Sequence, residues 1–275
     1  PKIKCHGNKV YVTYIDDRTG YYSVYLNVSE NYGETWQEEI LISDTSFNNG
    51  YHDFTIDSDG NFHLVYYNSA ANYSLEDVRY RFATSHNDFE PSISVGLVSD
   101  TFLPCYCCNP DIELDNDGNI YIAYRSDNLN YRDTYLTVKR SNEDAFTENH
   151  RISYLDEYIF FCPSSSPSLD IKDDKISIAY TSFYYEQGYV SESTTADLDF
   201  TNYSILNNNP DSFANYPKIL VDYDSHIVWT DIVNGDWDVF YAMRNSNTSE
   251  IQNIQKINDD STEYVQKDPI LNNLN

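Results

Sequence analysis

Three cysteines fall within four residues, Cys105-Tyr106-Cys107-Cys108, and a fourth, Cys162, stands before Pro163 downstream. Thiols this dense have three chemical uses. They form disulfides, with Cys162 joined to Cys105 or Cys107, or with Cys107 and Cys108 in a strained vicinal bond. They hold a soft metal, copper(I) or zinc, with Cys105, Cys107, Cys108 and Cys162 as a tetrahedral set. Or they stay as buried thiols. The fifth cysteine, Cys5 beside His6, reads as a core residue of the first strand.

Other reactive residue types are arranged less tellingly. Asp57-Ser58-Asp59-Gly60-Asn61 and Asp115-Asn116-Asp117-Gly118-Asn119 have the acidic spacing that opens a calcium loop, without its distal glutamate. They fall where a tight turn is needed, so a plain turn is the first reading and calcium the alternative. The six histidines are scattered with no H-x-x-x-H pair, which argues against a histidine zinc site. No nucleophile-elbow motif supports Ser-His-Asp chemistry.

The elements that must position these groups repeat along the chain. Short openings recur at Pro1-Lys2-Ile3, Asp53-Phe54-Thr55, Pro110-Asp111-Ile112, Pro167-Ser168-Leu169 and Pro217-Lys218-Ile219, with Pro269 starting another. A polar turn follows each opening. Alternating strands come next, at Val10 to Tyr14, Phe62 to Tyr66, Ile120 to Tyr124, Ile176 to Tyr180 and His226 to Trp229. Third strands read at Ser23 to Val28, Val78 to Thr84, Thr134 to Lys139 and Val239 to Met243. Fourth strands close the units, as at Glu39 to Ser43 and Gln255 to Asn258.

Four strands per unit at a period near fifty residues specify an all-β propeller of four-stranded antiparallel blades. The blades are expected near 1–51, 52–108, 109–165, 166–215 and 216–268 of one domain spanning 1–275. Residues 269–275 read as the first strand of a sixth. A six-bladed protein and a closed five-bladed ring both stay open. Cys105 and Cys162 each stand five residues before the proline of an opening, at equivalent positions in adjacent blades. That equivalence brings Cys162 towards the Cys105–Cys108 segment.

Ser29-Glu30-Asn31-Tyr32-Gly33-Glu34-Thr35-Trp36 has the form Ser-x-Asp-x-Gly-x-Thr-Trp, with Asn31 in the Asp position. Asn31 can bond its own backbone, Gly33 can take positive φ, and Trp36 can pack beneath. Worn copies begin at Ser85, Ser141, Ser193 and Ser246. The pattern resembles the Asp-box, or BNR repeat, of sialidase-type β-propellers. The cysteine cluster, with Tyr124-Arg125-Ser126-Asp127, Arg132-Asp133 and Cys162-Pro163, is similar to a bacterial subset of that family.

The resemblance implies sialidase chemistry as one function. That chemistry takes an arginine triad for the substrate carboxylate, a Tyr–Glu nucleophile pair and an aspartate acid/base. Arginine suits a carboxylate because it is a rigid two-pronged donor. Of eight arginines, Arg18, Arg125 and Arg132 are the candidates, with Asp127 and Asp133 as acidic candidates. The Arg-Ile-Pro segment typical of the family is absent, and His150-Arg151-Ile152-Ser153 falls in a fourth strand. The structural reading pairs Arg125 and Arg132 with Asp127 and Asp133 as salt bridges.

Composition narrows the rest. A formal charge of -27 repels phosphate backbones and excludes nucleic acid as a partner. No apolar run spans a membrane. The 27 tyrosines favour strands and surface contacts. The chain opens on Pro1, as expected of a processed chain or part of a longer one or an assembly. Sequons at Asn27, Asn72, Asn202 and Asn247 matter only in a eukaryotic secretory pathway. Together these point to an extracellular, cell-surface or periplasmic module that binds glycan or protein without catalysis. An exo-acting glycoside hydrolase of sialidase type and a periplasmic copper- or zinc-binding protein are the alternatives.

Overall fold

The structure is a computed structural model. It describes residues 1–45, 47–70, 76–95, 104–207, 211–233, 235–259, 265–266 and 268–271, without the side chain of Glu76. Among them every regular element is a strand. The first sheet holds β1 (Lys2–His6), β2 (Lys9–Asp16), β3 (Ser23–Ser29) and β4 (Ile40–Leu41), and the second β5 (Asn48–Ile56), β6 (Phe62–Ser69), β7 (Glu76–Ala83) and β8 (Ile93–Ser94). The third holds β9 (Asp111–Leu114), β10 (Ile120–Arg125), β11 (Thr134–Lys139) and β12 (Glu148–Arg151). The fourth holds β13 (Ser168–Lys172), β14 (Lys175–Ser182), β15 (Gln187–Thr194) and β16 (Tyr203–Ile205), and the fifth β17 (Ser212–Val221), β18 (Ser225–Val233), β19 (Asp236–Arg244) and β20 (Ile251–Lys256).

Each sheet runs in sequence order, so every connection is a hairpin between neighbours. This is the four-stranded antiparallel blade of a propeller. The sixth opening is not a strand over its described residues 269–271, and 272–275 lie outside the description. Asn72 is also outside it.

The chain divides into two compact units. One comprises Pro1–Ile122 and Thr137–Asn149, the other Ala123–Leu136 and His150–Asn275. In the first, β5 packs on β1 and β3. Leu26, Val28, Phe54, Phe62, Leu64 and Tyr66 fill the space, and Phe54 stacks on Phe62. In the second, β17 packs on β13, β14 and β15. Its core includes Val190, Leu206, Ile227 and the fully buried Trp229. Gly188 is required there, since a Cβ would lie 3.0 Å from Leu206 Cδ1 and 3.2 Å from Ala214 Cβ.

Period-2 alternation is therefore only part of the pattern. Residues 62–69 and 120–125 are buried at every position, because both faces of a second strand are covered. Strand β1 does alternate, and it leaves Cys5 exposed. The expectation of a core Cys5 is corrected: it falls on the outward face.

The turns behave as their residues dictate. Asp57 Oδ1 accepts the Asp59 and Asn61 amides, and Asp115 Oδ1 accepts those of Asp117 and Asn119. Gly60 and Gly118 take φ of 84° and 76°. Both carboxylates are thus engaged by their own turns. Between β3 and β4, Asn31 Oδ1 accepts the Thr35 amide and Ser29 Oγ accepts the Gly33 amide, each at 2.9 Å, while Gly33 has φ of 88°. A Cβ added at Gly33 would lie 3.9 Å from Trp36 Cζ2, and Trp36 stays half-exposed.

His52, on β5, is buried with Nε2 2.8 Å from Thr13 Oγ1, and its Nδ1 has no partner. Burial, then the nearby Lys2 charge, lowers its pKa from 6.5 to about 3. The unfolded chain therefore binds a proton at His52 below about pH 6.5 that the native state refuses until about pH 3. Stability from this group is complete above that window and lost through it on acidification. Urea unfolding of His52→Gln is expected to depend less steeply on pH between 6.5 and 3 than wild type. Parallel curves would rule His52 out as the cause.

Candidate functional site

In the second unit, two chain segments lace together before the fourth sheet begins. Residues 127–132 form a tight hairpin, with Leu129 and Asn130 at φ of 52° and 70°. Asn128 and Tyr131 exchange backbone hydrogen bonds at 3.0 and 2.9 Å. The Arg132 amide donates to Glu157 O and the Ile159 amide to Asn130 O, each at 2.9 Å. Tyr131 and Tyr158 face each other with centroids 5.4 Å apart.

Beneath this lacing sits a buried charge network. Arg125, at the end of β10, and Glu157 are each 2% exposed. The guanidinium lies 3.0 Å from Glu157 Oε2 and donates to Arg132 O at 3.1 Å and to Thr181 O. Glu157 Oε1 accepts from Ser182 Oγ at 3.1 Å and from the Phe183 and Tyr184 amides at 2.5 and 2.9 Å. One carboxylate thereby joins β10, its own loop and the β14–β15 turn. Charge-assisted bonds of this kind are about twice as strong as neutral ones.

The candidate residues separate. Arg132 is buried, 2.8 Å from Asp127 Oδ2, and donates to Ile159 O at 3.1 Å. Asp133 takes Arg151 at 2.5 Å and Ser153 Oγ at 2.9 Å, and burial pushes its carboxyl up, opposed first by the Ser153 bond. The expected pairing is thus half corrected. Arg132 does meet Asp127, but Arg125 takes Glu157 and Asp133 takes Arg151. Sequence reasoning missed Glu157. Its signal was an acid inside the aromatic run Tyr154-Leu155-Asp156-Glu157-Tyr158-Ile159-Phe160-Phe161.

Arg18 belongs to the first unit. It grips Asp16 at 2.8 Å, bonds Glu39, and lies 4.7 Å over the Tyr25 ring. All three candidate arginines are thus engaged by acids of the chain itself.

The network carries an apolar surface. Tyr131, Tyr158, Phe160, Phe161, Tyr184 and Tyr185 are between 46% and 80% exposed. Phe161 contacts Phe183 edge-on at 5.9 Å, and Phe183 contacts the Phe213 ring at 4.7 Å. Exposed rings in contact with one another and with the partly buried Phe183 form a stacking surface.

The cysteines of the first unit make a second constellation. Cys105, Cys107 and Cys108 are buried with sulfurs within 4.8 Å of one another. Cys107 and Cys162 are disulfide-bonded, whereas Cys105 and Cys108 keep their thiols. No vicinal Cys107–Cys108 bond forms. The expected four-thiolate metal set is not available in this oxidation state, because a disulfide sulfur is a poor ligand.

No family model and no curated protein matches the sequence. Solved structures do match its fold. A protein of unknown function from Dyadobacter fermentans gives a TM-score of 0.65 at 10% identity, over 91% of this chain and 79% of that one. A polysaccharide lyase, an ulvan lyase, gives 0.65 at 12%, over 97% and 72%. The NanB sialidase of Streptococcus pneumoniae gives 0.60 at 7%, and this chain spans 58% of its length while 89% of this chain is matched. The likeness is one of fold, that of the sialidase-like β-propeller.

Removing Glu157 strands a buried arginine, which costs about 3–5 kcal/mol. Glu157→Ala is expected to lower the urea unfolding free energy by about that amount, and Arg125→Met with Glu157→Leu to recover most of it. A loss below about 1 kcal/mol in the single variant would show that the network does not hold these loops.

Proposed function

We propose that this protein is a glycan-binding propeller module that acts without catalysis, and that its ligand is a neutral sugar chain. The observation that carries the reading is the exposed aromatic array at Tyr131, Tyr158, Phe160, Phe161, Tyr184 and Tyr185, mounted on loops fixed by Arg125 and Glu157. Sugar rings present flat C–H faces that stack on such side chains.

The proteins of similar fold include a sialidase and an ulvan lyase, which supports a carbohydrate ligand. A net charge of -27 disfavours sialylated, uronate or sulfated ligands. Arg18, Arg125 and Arg132 are bound to acids of the chain, so gripping a substrate carboxylate would mean breaking those pairs. The turn from Ser29 to Trp36, with its Asn31 and Ser29 bonds, supports reading it as an Asp-box. The disulfide-bonded Cys107 and Cys162 support an oxidising, extracytoplasmic location.

Binding is tested on a glycan array and by calorimetry with neutral and acidic oligosaccharides. A neutral ligand is expected to bind, and Tyr158→Ala with Tyr184→Ala to weaken it at least about fivefold, from about 0.5–1.5 kcal/mol per ring. No sialic acid is expected to be released from a fluorogenic sialoside. Turnover of that substrate would move the assignment to the hydrolase.

A further inference from the structure

Tyr51 is an aromatic residue inside strand β5 with φ of 44°. The left-handed region suits glycine and tight turns, and a bulky side chain held there within a strand is an outlier that its surroundings must enforce. The cause is a β-bulge. In the pairing of β5 with β6 the register shifts between Gly50 and His52, so Tyr51 is the extra residue. The strand around it is firmly held. His52 is buried against Thr13, and Asn49 is fully buried, its Nδ2 donating to Asp44 O at 2.6 Å and to Phe47 O at 2.9 Å. The bulge therefore turns one ring outward from a run that is buried at Asn49 and again from His52 to Thr55. Tyr51 is 40% exposed.

Two more tyrosines of the first unit gather there. Gly20, at φ of 89°, closes the turn after β2 with its amide on Asp17 O at 2.8 Å, and Tyr22 follows. Tyr22 O accepts the Asn49 amide at 2.7 Å, and the Tyr22 amide donates to Asn48 Oδ1 at 3.2 Å. These bonds tie the β2–β3 loop to β5 two residues before Tyr51. Tyr106 stands in the turn closed by the Cys108 amide on Cys105 O at 3.1 Å. Burial raises the Tyr51 pKa, and Cys108, Cys105, Tyr106 and Tyr22 add to it, so the three phenols share one neighbourhood. Tyr22 is 54% exposed and Tyr106 44%.

We propose that Tyr22, Tyr51 and Tyr106 form a second sugar-stacking site, carried by the first unit alone, for a neutral oligosaccharide. A phenol offers a flat apolar face to the C–H side of a sugar ring and a hydroxyl to its oxygens. The Tyr22 and Tyr51 backbones are pinned by hydrogen bonds before any ligand arrives, which keeps the ordering cost of binding low. Strain of the kind held at Tyr51 gathers at ligand sites, where a bulge re-aims a side chain. The net charge of -27 disfavours acidic sugars at this site as at the aromatic array of the second unit. The ligand class rests on the glycan-binding reading above, whereas the site uses none of the residues that carry it.

Tetranitromethane nitrates accessible phenols, and peptide mapping reads each tyrosine separately. The probes are cellohexaose, laminarihexaose and xylohexaose, all uncharged. At least one is expected to slow nitration of Tyr22, Tyr51 and Tyr106 in wild type, as well as that of Tyr158 and Tyr184. Asparagine tolerates the left-handed region, so Tyr51→Asn removes the ring without a new backbone demand. In Tyr158→Ala with Tyr184→Ala, calorimetry is expected to find residual binding that adding Tyr22→Ala and Tyr51→Asn weakens at least about fivefold, for two stacking rings lost. If a variant fails to fold, wild-type nitration decides alone. Protection of Tyr158 and Tyr184 with none at Tyr22 and Tyr51 overturns the second site and leaves the glycan reading standing. Protection of Tyr22 and Tyr51 without Tyr158 and Tyr184 upholds this site and removes the array. Wild type in which no probe slows nitration at any of them overturns both.

Discussion

The second unit depends on one buried ion pair. Arg125 and Glu157 come from different hairpins, and each is almost wholly buried. Taking two charges out of solvent is costly unless every remaining donor and acceptor is met. Here most are: backbone carbonyls take the other guanidinium protons, and two amides and a hydroxyl take the second carboxylate oxygen. Such a pair adds little net stability over an apolar substitute. It does fix geometry, because only one arrangement of the three loops satisfies it.

That fixity explains how so much aromatic surface stays exposed. Large rings in water ordinarily collapse on one another or into a core. Tyr158, Phe160 and Phe161 follow directly on Glu157, and Tyr184 offers its own amide to the same carboxylate. Their backbones are therefore pinned from below, while edge-on contacts such as Phe183 with Phe213 set the ring orientations. The acidic turns of the first unit are different in kind. There Asp57 and Asp115 fold their own turns with short polar bonds, leaving no comparable apolar surface on those residues.

The cysteines show the same division between structure and reactivity. Oxidation of Cys107 takes one sulfur of the cluster out of metal chemistry. It leaves a thiol pair packed against a disulfide, where the sulfurs differ in bonding but hardly in position.

The sequence by itself determined the blades. Hydrophobic alternation, recurring openings and turn residues such as Gly33, Gly60 and Gly118 are local properties, and each hairpin joins neighbours in the chain. Local signals therefore sufficed for strand order, for the self-bonded acidic turns, and for the concentration of cysteines at one place. They failed where partners lie far apart in sequence. Nothing local distinguishes Asp127 or Asp133 from Glu157 as the mate of Arg125, and nothing in Cys5 tells which face of β1 it occupies. Only the tertiary structure decided which carboxylate meets which guanidinium, which cysteines are oxidised, and which aromatic residues remain in water. Those outcomes depend on how loops from separate hairpins share one buried volume, where desolvation makes each charge accept whatever partner the fold brings within reach.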